Sequence, residues 1–414
     1  MNRVPHVCIV TSIHPDYDSR VYKHCLSIAR LGYQTTLISP WVAIRDEPFR
    51  FLSFPRSGGI LGRFKQMAAI ARLALRADAD IYHFHDIDLL PLFTFIHIVT
   101  GKAVVYDIHE NYAEEMLVRH WVPNAMRVPL YWAVHYVQRI CCAIIRNVVG
   151  VVDSIMEDVG ARWLHGIQIR NFASKDLAQA ATDDYAQRDP AVLFLGSQYV
   201  ENGTLVFLDI AERVLKRRRD IHFYSIDRFG RDKVFRERVR KEIEGRGLAA
   251  HMTMLPNVLP HEVMKYINRS TISIFPNMNV PKELKGIATR LFEQMAGGVP
   301  IVASDLGYRQ QYVKDSGAGL LCNPDDPETF VDAICRLTDD REEARRMGQA
   351  GRDAFFRRFS WEAQDSKLRE FYESILSRSR HKAFPARHDS PSEIKPMPNE
   401  SRRQVASLER RDDS

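Results

Sequence analysis

Short apolar runs alternate with longer amphipathic stretches through the first part of the chain. The runs lie at residues 7–10, 36–39, 81–84, 103–106 and 148–152. Runs of this length are typical of buried parallel strands, and the stretches between them are long enough for helices. This alternation predicts an α/β fold with a doubly wound parallel sheet.

A second series of apolar runs begins after a polar, irregular segment at residues 171–189. The runs of this series lie at residues 191–196, 221–224, 251–255, 272–275, 299–303 and 319–322. An amphipathic stretch near residues 361–376 predicts a closing helix, and the chain beyond Ser377 has too few apolar residues to form a core. The predicted segments are an N-terminal domain at 1–175, a linker at 176–189, a C-terminal domain at 190–360, a helix at 361–378 and a disordered charged tail at 379–414.

Length and charge agree with this division and narrow the class of protein. A chain of 414 residues suits two α/β domains better than one. The net charge of +6 reflects either solvated helix faces or attraction to anionic substrates and lipid headgroups. No basic stripe interleaved with aromatic residues and no reader motif is present, so nucleic acid is not an expected partner.

Cysteine usage and hydropathy indicate the compartment. The six cysteines form no C-x-x-C pair and lie mostly in apolar runs, which predicts reduced core residues in a cytoplasmic protein. No signal peptide and no long uncharged apolar run is recognisable, so we expect no segment that spans a bilayer.

The run at residues 285–304 carries the strongest indication of a binding site. A glycine loop is followed by a short helix with Glu293 one turn inside, and Gly297 and Gly298 then stop the helix before an apolar strand. Backbone N–H groups at such a helix start can face a diphosphate. A carboxylate one turn inside can accept hydrogen bonds from two ribose hydroxyls. This order of elements predicts a nucleotide site.

Two predicted strands of the first series end in histidines and carboxylates. The first leads into His85 and Asp86, and the second leads into His109 and Glu110. Ligands of open α/β sheets bind beyond such carboxyl ends. Two alternatives remain open: His83 and His85 satisfy polar groups at the strand end, or Asp86-Ile87-Asp88 forms a D-x-D metal site. Because such tripeptides arise often by chance, we expect no metal.

These sequence segments resemble motifs of the family-4 retaining glycosyltransferases (glycosyl transferases group 1) of the bacterial surface-polysaccharide type. Residues 285–304 resemble the donor-sugar segment, residues 81–91 resemble "H-x-H-D-x-D-x-L-P", residues 104–110 resemble "V-Y-D-x-H-E", and residues 359–361 resemble "(Y/F)-S-W". The similarity extends over about residues 5–378. It implies a GT-B fold, with two facing Rossmann-like doubly wound parallel-sheet domains and a C-terminal crossover helix that packs back on the first domain.

The resemblance also implies an activity. It is a hexosyl transfer from a nucleotide-diphosphate sugar to a glycan or lipid-linked acceptor, with retention of configuration and with no metal or other cofactor. A role in cell-surface polysaccharide biosynthesis, in the cytoplasm or at the inner face of the plasma membrane as a peripheral protein, would follow. The alternative is a non-catalytic GT-B paralogue that binds a nucleotide sugar or a partner enzyme.

Site residues carry over position by position. The resemblance implies that Glu293 holds the ribose, that the backbone N–H groups of Gly286 and Ile287 hold the diphosphate, and that His109 faces the donor sugar as a catalytic residue. The further donor-binding candidates are Thr289, Lys285, Gly196 and Asn202, and the acceptor-side candidates are Asp18, Arg20, His85 and Asp86. A helix cap followed by a solvated arginine is the alternative for Asp18 and Arg20.

The chain departs from the family pattern at the glycine loop that opens the second domain. Both positions that are usually basic are neutral here, Ser197 and Asn202, and Lys285 stands where the family has its first glutamate. A metal-free site needs some cation to offset the leaving diphosphate. We predict that Lys282, Lys285 or Arg290 points into the cleft between the domains. Arg290 is the leading candidate and is assigned a catalytic role, because a guanidinium offers a fork of donors for phosphate oxygens.

Two rival activities and one surface property remain as alternatives. A GT-B epimerase would need carboxylates around the sugar carbon, and a Rossmann oxidoreductase would need G-x-G-x-x-G after the first strand, where residues 11–18 contain no glycine. Residues 116–147 mix aromatic and aliphatic side chains with arginines. This mixture is typical either of a helix seated in a headgroup layer or of a packed core helix.

Overall fold

The computed structural model describes residues 3–14, 19–40, 46–118, 122–230, 232–256, 258, 262–280 and 289–382. Within these residues the strands form two sheets in which every pair is parallel, one of seven strands and one of six. Both sheets belong to one compact unit that ends at Leu376.

The first sheet has the strand order β3-β2-β1-β4-β5-β6-β7. Its strands are β1 (His6–Val10), β2 (Gln34–Ser39), β3 (Arg50–Ser53), β4 (Ile81–Phe84), β5 (Ala103–Ile108), β6 (Asn147–Gly150) and β7 (His165–Gln168). The helices between them are α1 (Ser19–Arg30), α2 (Gly59–Ala77), α3 (Leu90–Thr100), α4 (Tyr112–Val118), α5 (Asn124–Ile145) and α6 (Asp153–Asp158). The order reverses between β1 and β4, which is where ligands of such sheets bind.

The second sheet has the order β10-β9-β8-β11-β12-β13. Its strands are β8 (Ala191–Phe194), β9 (His222–Ile226), β10 (Met252–Leu255), β11 (Ile272–Phe275), β12 (Ile301–Ser304) and β13 (Gly319–Cys322). Its helices are α7 (Thr204–Arg217), α8 (Lys233–Gly245), α9 (Val263–Ile267), α10 (Thr289–Ala296), α11 (Gly307–Ser316), α12 (Pro327–Asp339) and α13 (Arg341–Ala354), and α14 (Asp365–Lys382) follows. Here the order reverses between β8 and β11.

Alternate residues of the central strands supply the cores on the two faces of the first sheet. Val7 and Ile9 of β1 pack with α1 and α14, whereas Cys8 and Val10 pack with α2, α3 and α5. All four side chains are fully buried, which explains why the sequence shows an unbroken apolar run instead of alternation.

The two strands that the sequence analysis missed are both edge strands. β3 reads Arg-Phe-Leu-Ser and β7 reads His-Gly-Ile-Gln, and neither contains a fully buried residue. An edge strand has a neighbour on one side only and is less covered by helices, so it does not need the apolar run by which central strands were recognised.

The C-terminal helix packs on the first sheet, as predicted. A short 3₁₀ turn at Trp361–Gln364 precedes α14, and Trp361, Leu368 and Tyr372 are buried in the core that β1 and α1 share. The helix ends at Lys382, so it is longer than the predicted span to residue 378, and residues 379–382 are helical instead of disordered. The rest of the predicted tail lies outside the described residues.

Candidate active site

A buried carboxylate, Asp107 near the end of β5, is the centre of a polar cluster in the first half of the chain. Arg20 of α1 donates to it from two nitrogens, with Nη2 2.8 Å from Oδ1 and Nε 3.2 Å from Oδ2. The third guanidinium nitrogen, Nη1, donates to the backbone oxygen of Ile169 at 2.9 Å. Arg20 was predicted on the acceptor-side loop. Instead its side chain is enclosed, because the buried Asp107 carboxylate requires a cation.

Four histidines surround the same carboxylate. The nearest ring nitrogens of the histidines lie 3.0 to 3.6 Å from its oxygens, and the residues are His24, His83, His85 and His109. The side chains of all but His109 are fully buried, and 14% of the His109 side chain is exposed. His109 is therefore the member of the cluster that can reach a ligand.

Burial determines the protonation of this cluster. It lowers the pKa of His24 to about 3 and holds the pKa of His85 well below the ordinary value, so both rings are neutral at pH 7. Burial alone would raise the pKa of Asp107, but Arg20 and the histidines hold it well below its usual range. The cluster is thus a carboxylate–guanidinium pair enclosed by imidazoles.

Asp86 shapes the loop after β1. It accepts hydrogen bonds from the Thr11 hydroxyl at 2.7 Å and the Ser12 backbone N–H at 2.6 Å, and the His14 ring lies 3.1 Å away. Burial would raise the pKa of Asp86, but His14 and these donors hold it below its ordinary value. Asp88 accepts from the Ser12 hydroxyl at 2.7 Å. Both carboxylates of the D-x-D tripeptide therefore hold the loop.

Two groups of described residues have ligand atoms close enough to share a metal ion. They are His24 with His83 and Asp107, and His85 with His109 and Asp107. Both depend on Asp107, whose charge the Arg20 guanidinium already balances, and a second cation at that carboxylate would face repulsion from Arg20. Asp86 and Asp88 belong to neither group.

A cavity of about 400 Å³ adjoins the loop that Asp86 holds. Its lining includes Ser12, Arg56, Arg63, Gln66 and Asp88. Gln66 of α2 donates to the backbone oxygen of Ser12 at 2.7 Å and thereby joins the two sides of the cavity. The cavity thus combines two cations with one carboxylate at the carboxyl edge of the first sheet.

The second half of the site is built on α10. Glu293 is half-buried, and its carboxylate makes no hydrogen bond or ion pair with any residue that the structure describes. Burial raises the pKa of Glu293, and Arg290, Lys23 and Arg228 oppose that rise because their positive charges are close. A desolvated carboxylate that has cations near it, and no donor bound to it from the described part of the chain, is a candidate ligand-binding group.

Helix α1 joins the two halves. Lys23 donates to Asn171 and Phe172 of the connecting segment at 2.9 and 2.6 Å, and its charge reaches Glu293. The same side chain lies over the Trp361 ring, 4.6 Å from the ring centroid, and that ring packs edge-on against His24. One turn of α1 therefore supplies a cation to each half of the site. The sequence analysis missed Lys23, because only the fold brings it to Glu293.

Arg228 is a second residue that the sequence analysis missed. It is exposed, comes two residues after the end of β9, and its positive charge lowers the pKa of Arg290, although burial is the larger cause of that shift. Its backbone oxygen accepts from the Gln198 N–H at 2.8 Å, so Arg228 lies beside the loop of residues 196–203. Its place after a predicted strand could have revealed it, since strand ends of parallel sheets meet at one edge.

The loop of residues 196–203, which opens the second domain, is held in shape although Ser197 and Asn202 are neutral. Gly203 has φ +77°, and a side chain there would collide with the backbone oxygen of Pro276, so only glycine fits. Asn202 donates from Nδ2 to the Ser197 backbone oxygen at 2.7 Å and so closes the loop on itself. Gly196 begins this loop and Thr289 begins α10. Asp18, Lys282, Lys285, Gly286 and Ile287 lie outside the described residues.

Comparison with solved structures identifies the architecture. A glycosyltransferase from Rickettsia africae superposes with a TM-score of 0.69 over 90% of this chain and 99% of that chain, at 16% identity. Anabaena HepE in complex with UDP superposes with a TM-score of 0.67 over 89% of this chain and 99% of that chain, at 12% identity. Identities this low show the fold alone. This chain has the GT-B fold.

The second half of this GT-B chain also matches a family model. Residues 182–354 match "Glycosyl transferases group 1", and this segment includes the second sheet, α10 and the glycine loop. Glu293, Arg290 and Arg228 therefore lie in the segment that matches this family model, whereas the Asp107 cluster precedes it.

Curated relatives match this GT-B chain in part. The phosphatidyl-myo-inositol mannosyltransferase of Mycobacterium tuberculosis is 28% identical over 217 residues, which are 51% of this chain and 53% of that protein. The alpha-D-kanosaminyltransferase of Streptomyces kanamyceticus is 26% identical over 186 residues, 45% of this chain and 46% of that protein. The chain thus spans about half the length of the curated relatives it matches.

Proposed function

We propose that this GT-B protein transfers a sugar from a nucleotide-diphosphate donor to a glycan or lipid-linked acceptor. The observation that carries the proposal is Glu293: a desolvated carboxylate without a hydrogen-bond partner among the described residues, held near three cations in a glycosyl transferases group 1 domain. A ribose supplies two hydroxyl donors for that carboxylate. Arg290 and Arg228 then supply the positive charge for the diphosphate. They take over from the two usually basic positions, which Ser197 and Asn202 occupy in this chain.

The donor sugar would lie between Glu293 and His109. His109 is the least buried ring of the Asp107 cluster, and an imidazole can form hydrogen bonds with sugar hydroxyls. We propose transfer with retention of configuration and without a metal, in which the leaving phosphate helps to deprotonate the acceptor. The cavity beside Ser12 and Arg63 is the proposed acceptor pocket, and its two arginines favour an acceptor that carries a phosphate. A role in cell-surface polysaccharide synthesis is the biological setting we propose.

The test begins with binding. In a thermal-shift panel of nucleoside diphosphates and nucleotide sugars, the nucleotides with one particular base should raise the melting temperature of the protein most. A ligand stabilises the folded state that binds it. Incubation of that donor with polyprenyl phosphate-linked and free glycan acceptors in EDTA should then release nucleoside diphosphate. Proton NMR of the product should show the anomeric configuration of the donor.

The results separate the alternatives. Donor binding without turnover for any acceptor would favour the non-catalytic paralogue. That alternative is less favoured at present, because the curated relatives are named as transferases. Turnover that requires a divalent cation, or a product of inverted configuration, would contradict the proposed mechanism while keeping the transfer. No stabilisation by any nucleotide would contradict the donor site itself.

A further inference from the structure

Three of the helices that cover one face of the first sheet form a layer, which we call the α2–α3–α5 layer. Ile70 of α2, Phe93 of α3 and Cys142 of α5 point inward and are fully buried in a common core with the strands. α3 also packs directly on α5. The side chains on the other side of these helices face away from the sheet.

The outer side of this layer is apolar, which reverses the usual pattern of a surface helix. On α5, Trp132, Tyr136 and Ile140 are 47%, 56% and 59% exposed, whereas the polar Gln138 is buried. On α3, Phe95 and Ile98 are 60% and 62% exposed. A surface helix of a soluble protein has its polar residues on the outer side and its apolar stripe on the inner side. The packed-core alternative for this part of the chain is therefore wrong for the outer face of α5.

By length and composition alone α5 could cross a bilayer, contrary to the expectation from the sequence. Its packing argues instead for a helix that lies along a membrane surface. Only 17% of its most apolar window is buried inside the protein, yet Cys142 and Ile145 lie fully within the core. α5 is held by the sheet, α3 and α4, while Trp132, Tyr136 and Ile140 remain exposed on its outer side. It can lie in a headgroup layer without leaving the fold.

The charge of the layer has one sign. The sequences of α2, α3 and α5 contain no aspartate and no glutamate. Their cations are Arg63, Lys65, Arg72, Arg76, Arg127 and Arg139. This is a marked local excess in a chain with 58 basic and 52 acidic residues, because the two signs are nearly balanced elsewhere. The layer is therefore complementary to an anionic surface.

We propose that the α2–α3–α5 layer docks in the plane of a membrane surface that contains anionic lipids. Exposed apolar side chains enter the boundary between headgroups and acyl chains, Trp132 and Tyr136 suit that depth, and the cations meet lipid phosphates. A second copy of this chain is the other possible occupant. A symmetric pairing of two such layers would set cations against cations without a carboxylate in these helices to offset them, so a bilayer fits better.

Co-sedimentation with vesicles tests the docking and does not depend on transfer activity. The full chain should bind phosphatidylcholine vesicles that contain phosphatidylglycerol, bind pure phosphatidylcholine vesicles less, and lose binding as salt rises, because exposed charges are screened. Arg72→Glu with Arg76→Glu should weaken binding by roughly fivefold or more for each cation, and Ile98→Ser with Ile140→Ser should also weaken it. The matched control is Val234→Ser with Arg238→Glu on α8, where Val234 is 83% exposed.

A second measurement tests whether the α2–α3–α5 layer contacts lipid, and it does not depend on substitutions that could destabilise the protein. Fluorescence of the full chain should be quenched by doxyl-labelled lipids, and Trp132→Phe should remove most of that quenching while leaving vesicle binding nearly intact. Absence of binding to anionic vesicles, or equal loss of binding in the α8 control, would overturn the proposal. So would retention on membranes after high salt and alkaline extraction, which would indicate a span. A concentration-dependent dimer that Ile98→Ser with Ile140→Ser abolishes would assign the layer to a second copy instead.

Discussion

The Nδ1 atom of His85 lies 2.9 Å from the Nε2 atom of His109. His85 is neutral at pH 7, since burial holds its pKa well below the ordinary value. Its Nε2 has no hydrogen-bond partner among the described residues, and a buried N–H without a partner is rarer than a buried lone pair without one. We therefore assign the proton to Nδ1, which donates to His109. The His109 tautomer that accepts this hydrogen bond at Nε2 carries its proton on Nδ1.

His85 should act through His109 as a positioning residue. His85→Leu removes the hydrogen bond that selects the His109 tautomer, and we expect turnover to fall by roughly tenfold, the equivalent of one hydrogen bond, with donor affinity little changed. His85→Asn keeps a donor group and should recover part of the turnover. Steady-state kinetics and calorimetry of donor binding make the comparison. An equal loss in both variants would indicate that the ring only fills space.

The Arg20–Asp107 pair should behave as a coupled unit. Asp107→Asn leaves a buried guanidinium without its counter-charge, and we expect it to lower the free energy of unfolding by about 3–5 kcal/mol. Arg20→Met should cost a similar amount by the same reasoning. The double variant removes both charges, so its cost should be smaller than the sum of the two single costs. Urea denaturation of the four proteins measures this, and strict additivity would contradict the coupling.

Glu293 should matter for the nucleotide and not for folding. Glu293→Gln keeps the shape of the side chain but removes the charge that we propose accepts the ribose hydroxyls. We expect donor binding to weaken by about 1.5–3 kcal/mol, the range for hydrogen bonds to a charged group. Thermal stability should be unchanged or higher, because burial disfavours the charged carboxylate. Calorimetry checks the affinity, and an unaltered dissociation constant in a folded variant would contradict the assignment.

Two arginines compete for the role of the missing phosphate clamp. Arg290→Met should lower turnover by roughly a hundredfold with a smaller effect on donor affinity, because its contact strengthens as the leaving diphosphate gains charge. Arg228→Met tests whether the exposed cation after β9 shares this work. Arg238→Met on α8, far along the chain from the glycine loop, serves as the matched control. If turnover survives both changes, the cation has to come from another residue, for example from Lys23 or Lys285.

Acid should destabilise the protein through its buried histidines. The pKa of His24 is lowered from 6.5 to about 3 in the folded chain, and the pKa of His85 is also lowered. Below about pH 6.5 the unfolded chain takes up protons that the folded chain does not, so the free energy of unfolding falls as pH falls. The slope should reach about 1.4 kcal/mol per pH unit for each histidine. Glu293 acts in the opposite direction, since its folded pKa is raised.

Urea denaturation between pH 5 and pH 7 measures this dependence. His24→Leu should reduce the slope relative to the matched variant His135→Leu, which changes a partly exposed histidine of α5. A pH dependence that is identical in the two variants would show that other groups control the acid response.

The sequence by itself determined the central strands and the order of elements. β4 and β11 begin and end at the predicted residues, because a strand buried on both faces must be apolar throughout. The edge strands β3 and β7 escaped prediction, because one side of each is uncovered and the local sequence carries no such constraint. The placement of Glu293 one turn inside a helix was equally local and was read correctly from glycine positions and helix periodicity.

Only the tertiary structure decided which charges meet. Arg20 and Asp107 are 87 positions apart and pair because α1 and β5 face one core. Lys23 comes near Glu293 because it donates to the backbone oxygen of Phe172, whose ring packs on Phe292. The reversed face of α5 also became visible only in the fold, since hydrophobic periodicity cannot tell an inward stripe from an outward one. The sequence determines which side chains are apolar or charged along each element. The packing of distant elements determines which of them face the core, the ligand or a membrane.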